Sequence, residues 1–145
     1  MARDYFDTSA IIKLYCVEPN SAMVRACVTP ADTFLTAQFT FAEYLSAAYG
    51  WVRRQESKMQ EAEQLITLFE NDLPKYALLP LEEVVIRETE RLLRLYAVTP
   101  GLRPLDALHL ATALVENRRV PIDAFVATDN DLRQCATSEG LKVLL

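Results

Sequence analysis

Four acidic residues stand where a predicted strand ends or a predicted helix begins. Asp7 follows a short aromatic segment near the start of the chain, and Asp129 directly follows the mostly apolar run 124–128. Glu43 and Asp106 each fall in the first turns of a predicted helix. Because the carboxyl ends of parallel strands meet at one edge of a sheet, where open α/β folds build their sites, we expect these four carboxylates to converge on one cleft.

Four carboxylates in one cleft repel one another, which costs free energy unless protons or cations neutralise them. Carboxylate oxygens are hard ligands that favour Mg²⁺ or Mn²⁺ over zinc. The chain contains one histidine and three widely spaced cysteines, with neither a CxxC pair nor the Cys/His spacing of a zinc site. The acidic set therefore favours a site for a hard divalent cation.

Each acid also has a purely structural interpretation. Asp7 and Asp129 are of a type that caps helix N-termini by accepting from free backbone N–H groups. Glu43 lies three residues after Thr40, in the pattern of a capping box. Asp106 fits the third position of a helix that starts at a proline. Taken singly, each acid is explained at least as well by capping, and only the repetition at four junctions favours a shared site.

The elements that would position these acids alternate along the chain. Apolar runs predict strands over 3–7, 33–36, 76–80, 122–128 and 141–145. Helical periodicity predicts helices over 9–17, 21–27, 37–54, 57–72, 81–97, 105–117 and 129–138, with a turn at 29–32. Alternation of this kind predicts one three-layer α/β/α domain over residues 1–145, with a parallel sheet of about five strands.

Composition narrows the function classes. The formal net charge is −5, which argues against a protein that holds nucleic acid by general basicity. It leaves open an enzyme that meets phosphate through bound cations. The chain shows no signal-peptide pattern and no apolar run near the roughly 20 residues that span a bilayer. With an odd number of cysteines, these features predict a cytoplasmic protein with no membrane association.

Four segments together resemble the PIN-domain ribonucleases, and within them the VapC-type toxins of toxin–antitoxin pairs. The segments are YFDTSA at 5–10, FAEYLSA at 41–47, LDALHLA at 105–111 and FVATDNDL at 125–132. Their order and spacing extend over essentially the whole chain. The resemblance implies a parallel-sheet α/β/α fold, in agreement with the element pattern, and an acidic site whose four positions are all acidic here.

The resemblance implies metal-dependent hydrolysis of RNA phosphodiester bonds. Asp7, Asp106 and Asp129 would hold one or two Mg²⁺ or Mn²⁺ ions, with Glu43 as a further ligand or as the base for the attacking water. A bound cation generates hydroxide at neutral pH and neutralises charge on the phosphate. It also reconciles an acidic protein with a polyanionic substrate. Asp131 either assists the metal or is an ordinary first-turn acid, and the second interpretation is favoured.

Other polar residues lie beside the four acids. Thr8, Ser9 and Thr128 either orient carboxylates or simply cap helices. Arg103 is the arginine nearest in sequence to a predicted ligand, so we expect it to contact substrate phosphate. His109 lies on a largely apolar helix, where a lone histidine is more often a packed or hydrogen-bonded core residue, and it is left out of the predicted site.

The resemblance also implies partners: an RNA substrate, a homodimer and a small cognate antitoxin that suppresses activity. The apolar residues of the helices over 41–54 and 57–72 are numerous enough for an interface as well as a core. An alternative function is a non-catalytic PIN-like module that binds RNA or protein, although the intact acids count against it. A phosphotransferase of the haloacid-dehalogenase type is disfavoured, because its second acid would fall at Ser9.

Overall fold

The computed structural model describes residues 1–29 and 32–144, which form a five-stranded sheet covered by helices on both faces. The strands are β1 Arg3–Phe6, β2 Thr33–Ala37, β3 Tyr76–Leu79, β4 Ala124–Val126 and β5 Val143–Leu144. All neighbouring pairs are parallel, in the order β3-β2-β1-β4-β5. The predicted α/β/α fold with a five-stranded parallel sheet is therefore confirmed.

The helices begin and end within about three residues of their predicted limits. They are α1 Thr8–Tyr15, α2 Ser21–Ala26, α3 Thr40–Arg53, α4 Met59–Asp72, α5 Glu83–Tyr96, α6 Pro104–Arg119 and α7 Asn130–Ser138, with a 3₁₀ turn at Leu73–Lys75. Pro30 and Ala31 of the predicted turn, and Leu145 of the predicted last strand, lie outside the described residues. Among the helices described, none is both long and apolar enough to cross a membrane.

One boundary differs for a tertiary reason. The periodicity predicted a helix from residue 37, but β2 continues through Ala37 and α3 begins at Thr40. Ala37 pairs with Leu79 of β3, and the N–H of Gln38 donates to the Leu79 carbonyl at 2.8 Å. Pairing with a strand 42 residues further along holds these residues in the sheet, and local periodicity does not report such a partner.

Two hydrophobic cores lie on opposite faces of the sheet because successive strand residues point to opposite sides. In β1, Tyr5 belongs to the core beneath α5, α6 and α7, and its ring stacks on Phe125 of β4 with centroids 5.5 Å apart. Phe6 and Val126 belong to the other core, beneath α1, α2, α3 and α4. Burial on both faces explains why β4 is apolar throughout.

Helix α6 is buried along most of its length. It packs against α5, α7 and β2, and its residues from Ala107 to Val115, Leu108 excepted, are shielded from solvent. Polar side chains on this helix, such as His109 and Thr112, must therefore find hydrogen-bond partners inside the protein. This requirement brings His109 into the site described below.

The strand order reverses between β1 and β4. The chain moves outward from β1 through β2 to β3 and then crosses back to place β4 on the other side of β1. Phe6 pairs with Val126 at this point, and the N–H of Asp7 donates to the Val126 carbonyl at 3.1 Å. In open α/β sheets the crevice outside the strand ends at such a reversal is the usual binding position. The reversal therefore positions the residues that follow β1 and β4 for a site.

Candidate active site

Asp7 is a buried carboxylate at the end of β1. Its side chain caps α1 by accepting from the N–H of Ala10 at 2.9 Å, and the hydroxyl of Ser9 lies 2.9 Å from both of its oxygens. Only 3% of Asp7 is exposed. Burial raises the pKa of Asp7 to about 6, and the nearby Asp106 carboxylate contributes to this rise. Asp7 therefore does cap α1, but its ionised form is destabilised by burial, as an exposed capping residue would not be.

Glu43 does not form the capping box that its spacing predicted. The N-cap of α3 is Phe39, and the hydroxyl of Thr40 forms a hydrogen bond with Thr36 at 2.8 Å instead. The Glu43 side chain instead lines a cleft together with Asp7. The capping-box interpretation was wrong because both side chains found partners on other elements.

The partners of Glu43 come from two other helices. Its Oε1 accepts from the Thr8 hydroxyl of α1 at 2.7 Å and lies 2.6 Å from Nε2 of His109 on α6. The other ring nitrogen of His109, Nδ1, lies 2.7 Å from the Tyr5 hydroxyl. His109 is thus a packed, hydrogen-bonded residue, as its position on an apolar helix predicted, but it is bonded to a member of the acidic set.

Asp106 and Asp129 share one cation supplied by the chain itself. Asp106 is the third residue of α6, and Asp129 caps α7 by accepting from the N–H of Leu132 at 2.9 Å. The Arg103 guanidinium lies 3.1 Å from Asp106 and 3.7 Å from Asp129. Burial raises the pKa of Asp106, and the pairing with Arg103 opposes the rise. The Arg103 side chain is 71% exposed, so this bridge lies at the solvent edge.

One cleft of about 220 Å³ brings three of the four predicted acids together. Its lining includes Asp7, Glu43 and Asp106, together with His109. Asp129 lies outside this lining and is connected to it through the bridge from Arg103 to Asp106. The site is therefore a cleft with three acids and a fourth acid beside its mouth.

The donor chemistry fits Mg²⁺ or Mn²⁺, because every acidic side chain at the cleft offers hard oxygen ligands. Across residues 1–29 and 32–144, no three His, Cys, Asp or Glu side chains stand close enough together to hold a metal ion as now oriented. The Arg103 guanidinium lies beside one carboxylate oxygen each of Asp106 and Asp129. A metal in the cleft would compete with Arg103 for these oxygens.

The remaining polar residues differ in whether they contact the acids of the cleft. Ser9 contacts Asp7 as described and lies 3.3 Å from the Thr128 hydroxyl, so it orients a carboxylate. Asp131 is exposed in the first turn of α7 and lies outside the lining of the cleft. Four further arginines form ion pairs with glutamates of α5, with the residue before α5 or with the residue after α7, namely Arg87, Arg91, Arg118 and Arg119.

Sequence reasoning left two contacts of the site unrecognised, those of His109 and Tyr5. A usable signal was present, because His109 follows Asp106 by three residues and the two side chains therefore share a face of α6. The role of Tyr5 had no local signal, since its partner lies 104 residues away.

Comparison with known proteins is consistent with this architecture. The chain matches the PIN domain family model over residues 5–137. It is 44% identical over 45 residues to Ribonuclease VapC35 of Mycobacterium tuberculosis, a stretch that covers 31% of this chain and 33% of that protein. The matched stretch thus spans about a third of the length of the curated relatives.

Solved structures share the fold at low sequence identity. FitAcB from Neisseria gonorrhoeae has a TM-score of 0.66 at 20% identity, with coverage of 98% of this chain and 96% of that one. VapC20 of M. tuberculosis, described as a toxin that cleaves the sarcin-ricin loop, has a TM-score of 0.65 at 14% identity, with 95% of each chain covered. VapBC2 of Rickettsia felis, bound to a promoter DNA fragment, has a TM-score of 0.65 at 13% identity, with coverage of 97% and 96%. With the family model matching nearly the whole length, this chain belongs to the PIN-domain family.

Proposed function

We propose that this protein is a Mg²⁺- or Mn²⁺-dependent endoribonuclease whose site comprises Asp7, Glu43, Asp106 and Asp129. The state of Asp7 carries this proposal. Its carboxylate is buried and opens into a cleft with two further acids, and within the described part of the chain no lysine or arginine forms an ion pair with it. Buried, electrostatically strained acids in a cleft are typical of sites that bind or react.

A divalent cation bound by Asp7, Asp106 and Asp129 would supply Lewis acidity and a lowered pKa for a bound water. The chain's own residues provide orientation. The Ser9 hydroxyl holds the Asp7 carboxylate. Glu43, which also lines the cleft, would accept a proton from the attacking water or serve as a further ligand. The exposed guanidinium of Arg103 at the cleft mouth offers donors to a phosphate oxygen.

We also propose that the protein acts as one domain over residues 1–145, as the VapC-type toxin of a toxin–antitoxin pair in the cytoplasm. The match to a VapC ribonuclease and the fold shared with VapBC complexes support this proposal. An RNA substrate, a cognate antitoxin and a homodimer are the corresponding partners. Exposed apolar side chains on α4, such as Met59 and Leu68, are available for a protein contact.

The decisive experiment is cleavage of a mixed RNA pool by purified, antitoxin-free protein. The reactions would contain Mg²⁺, Mn²⁺ or EDTA, and Asp106→Asn would be compared with the matched control Asp131→Asn, an exposed acid outside the cleft. We expect cleavage that requires the metal, is lost in Asp106→Asn and persists in Asp131→Asn. A folded wild type that neither cleaves RNA nor binds Mn²⁺ would instead support the alternative, a non-catalytic PIN-like module that binds RNA or protein.

Replacing Arg103 with alanine should change two affinities in opposite directions. RNA binding should weaken, and the slope of log affinity against log salt should decrease by about one, because one phosphate contact is lost. Mn²⁺ binding should become tighter, because the competing cation on Asp106 and Asp129 is gone. Fluorescence anisotropy on RNA and Mn²⁺ titration by electron paramagnetic resonance measure the two effects.

Arg87→Ala is the matched control for Arg103→Ala. The Arg87 guanidinium is also paired with a carboxylate, that of Glu83, but both residues lie on α5, outside the cleft. Arg87→Ala should leave Mn²⁺ affinity unchanged. If Arg103→Ala left both the RNA affinity and its salt dependence at wild-type values, Arg103 would be rejected as a phosphate contact.

A further inference from the structure

His109 lies where α1, α3 and α6 meet. Asp7 caps the first of these helices, and Glu43 and Asp106 lie on the other two. The His109 side chain is 2% exposed and contacts the Phe39 ring, with centroids 4.8 Å apart. It lies on α6 with Asp106, its Nε2 meets Glu43 of α3, and the same nitrogen lies 2.9 Å from the hydroxyl of Thr8, the first residue of α1. The Thr8, Glu43 and His109 contacts therefore connect the three helices that bring Asp7, Glu43 and Asp106 together.

The directions of these hydrogen bonds follow from the donor inventory. An ionised Glu43 carboxylate only accepts, so Nε2 of His109 must carry a hydrogen. The Tyr5 hydroxyl is fully buried and burial raises the pKa of Tyr5 well above its usual value, so it keeps its proton and donates to Nδ1. Tyr5 thereby selects the Nε2–H tautomer of His109, in the way that the second nitrogen of a metal-bound histidine is oriented by its partner.

The two donors leave Glu43 with one free oxygen. Oε1 accepts from both Thr8 and His109, whereas Oε2 has no hydrogen-bond partner among the described residues. The Glu43 side chain is 22% exposed and lines the cleft. A carboxylate that is anchored through Oε1 and free at Oε2 can receive a proton from water or bind a cation through Oε2.

We propose that His109 is a positioning residue that holds the Glu43 carboxylate so that Oε2 faces the reacting water or the cation. The inference rests on the proposed ribonuclease function and assigns His109 no contact with RNA. The positioning role of His109 differs from a core-packing role because positioning requires the Nε2–H donor itself, whereas packing requires only a side chain of similar volume.

Variants of His109 test this requirement through turnover. His109→Ala and His109→Asn lack a donor at the Nε2 position, and their kcat should fall about 10- to 100-fold with KM for RNA nearly unchanged, as for other residues that orient a site from behind. His109→Gln places an amide nitrogen near the Nε2 position and should recover most of the loss. Leu110→Ala is the matched control, because the adjacent, fully buried Leu110 shapes the core without contacting Glu43.

We expect Leu110→Ala to lose stability yet retain the wild-type kcat per folded molecule. If His109→Ala showed wild-type kcat, or if His109→Gln were as impaired as His109→Ala, the positioning role would be rejected. These outcomes are distinct from failure of the proposed function, which would appear as absence of metal-dependent cleavage by the wild type.

A spectroscopic measurement tests the same inference without cleavage. The chain has a single histidine, so imidazole ¹⁵N NMR reports His109 without assignment ambiguity. We expect Nε2 of His109 to carry a hydrogen in the metal-free wild type, and the Nε2 resonance to shift in Glu43→Ala. A ring protonated at Nδ1 alone, or an Nε2 resonance unaffected by Glu43→Ala, would overturn the proposal even if the enzyme is active.

Discussion

Asp7→Asn should reduce metal-dependent RNA cleavage on the order of 10²- to 10³-fold, the usual loss when one preorganised electrostatic partner is removed from an active site. The fold should persist, because asparagine is also a good N-cap and its side-chain oxygen accepts from the N–H of Ala10. What the variant lacks is the negative charge at the end of β1. Single-turnover cleavage in Mg²⁺ and in Mn²⁺, with circular dichroism as a check on folding, measures the effect.

The same variant separates a metal ligand from a structural cap. Mn²⁺ affinity should fall in Asp7→Asn and remain at the wild-type value in Asp131→Asn, whose parent side chain is exposed outside the cleft. Asp7→Asn protein that cleaves RNA at the wild-type rate with the same metal dependence would show that Asp7 only caps α1.

The second large effect concerns stability. In EDTA at pH 7.5, Asp7→Asn should be more stable than the wild type by about 1–3 kcal/mol, and this difference should disappear as the pH falls toward 4. The pKa of Asp7 is about 6 in the folded protein, above the ordinary aspartate value of 3.8. The folded state therefore binds more protons than the unfolded state between these two values, so wild-type stability decreases as the pH rises through this window. The upper limit of about 3 kcal/mol is the difference between the two pKa values of Asp7, converted at about 1.4 kcal/mol per pKa unit.

Urea unfolding of both proteins at several pH values tests this prediction, because contributions from other titrating groups largely cancel in the difference. Asparagine also loses one of the oxygens that Ser9 contacts, which is why the lower bound is about 1 kcal/mol. Saturating Mn²⁺ should stabilise the wild type more than the variant, since a bound cation neutralises Asp7 in the folded state alone. A stability difference that is independent of pH would show that the Asp7 carboxylate is not strained.

The predictions that succeeded were those with a local physical cause. Asp7 and Asp129 cap α1 and α7 as their residue types indicated, and Pro104 occupies the first turn of α6. Helices were found where apolar residues recur about every 3.6 positions, and strands where short apolar runs lie between these helices. Capping, proline geometry and amphipathicity act over a few residues, so a window of sequence contains the relevant information.

The predictions that failed depended on distant partners. Glu43 has the spacing of a capping box, yet its carboxylate is held by residues 35 and 66 positions away. Helix α6 is buried on nearly all sides, so its periodicity carried little information about the direction in which His109 points. The bridge of Arg103 between Asp106 and Asp129 was not foreseen either, and the contact of Arg103 with phosphate stays a prediction.

The sequence by itself determined the alternation of elements, the parallel sheet and the placement of acids at strand and helix ends, because these follow from short-range periodicity and capping chemistry. Tertiary structure alone decided the strand order, and with it the reversal between β1 and β4 that places Asp7 in the lining of a cleft. It also decided which acid is buried, which is paired with Arg103 and which is held by His109. Burial and pairing depend on what packs against a residue from elsewhere in the chain, and desolvation and charge then set the behaviour of each carboxylate.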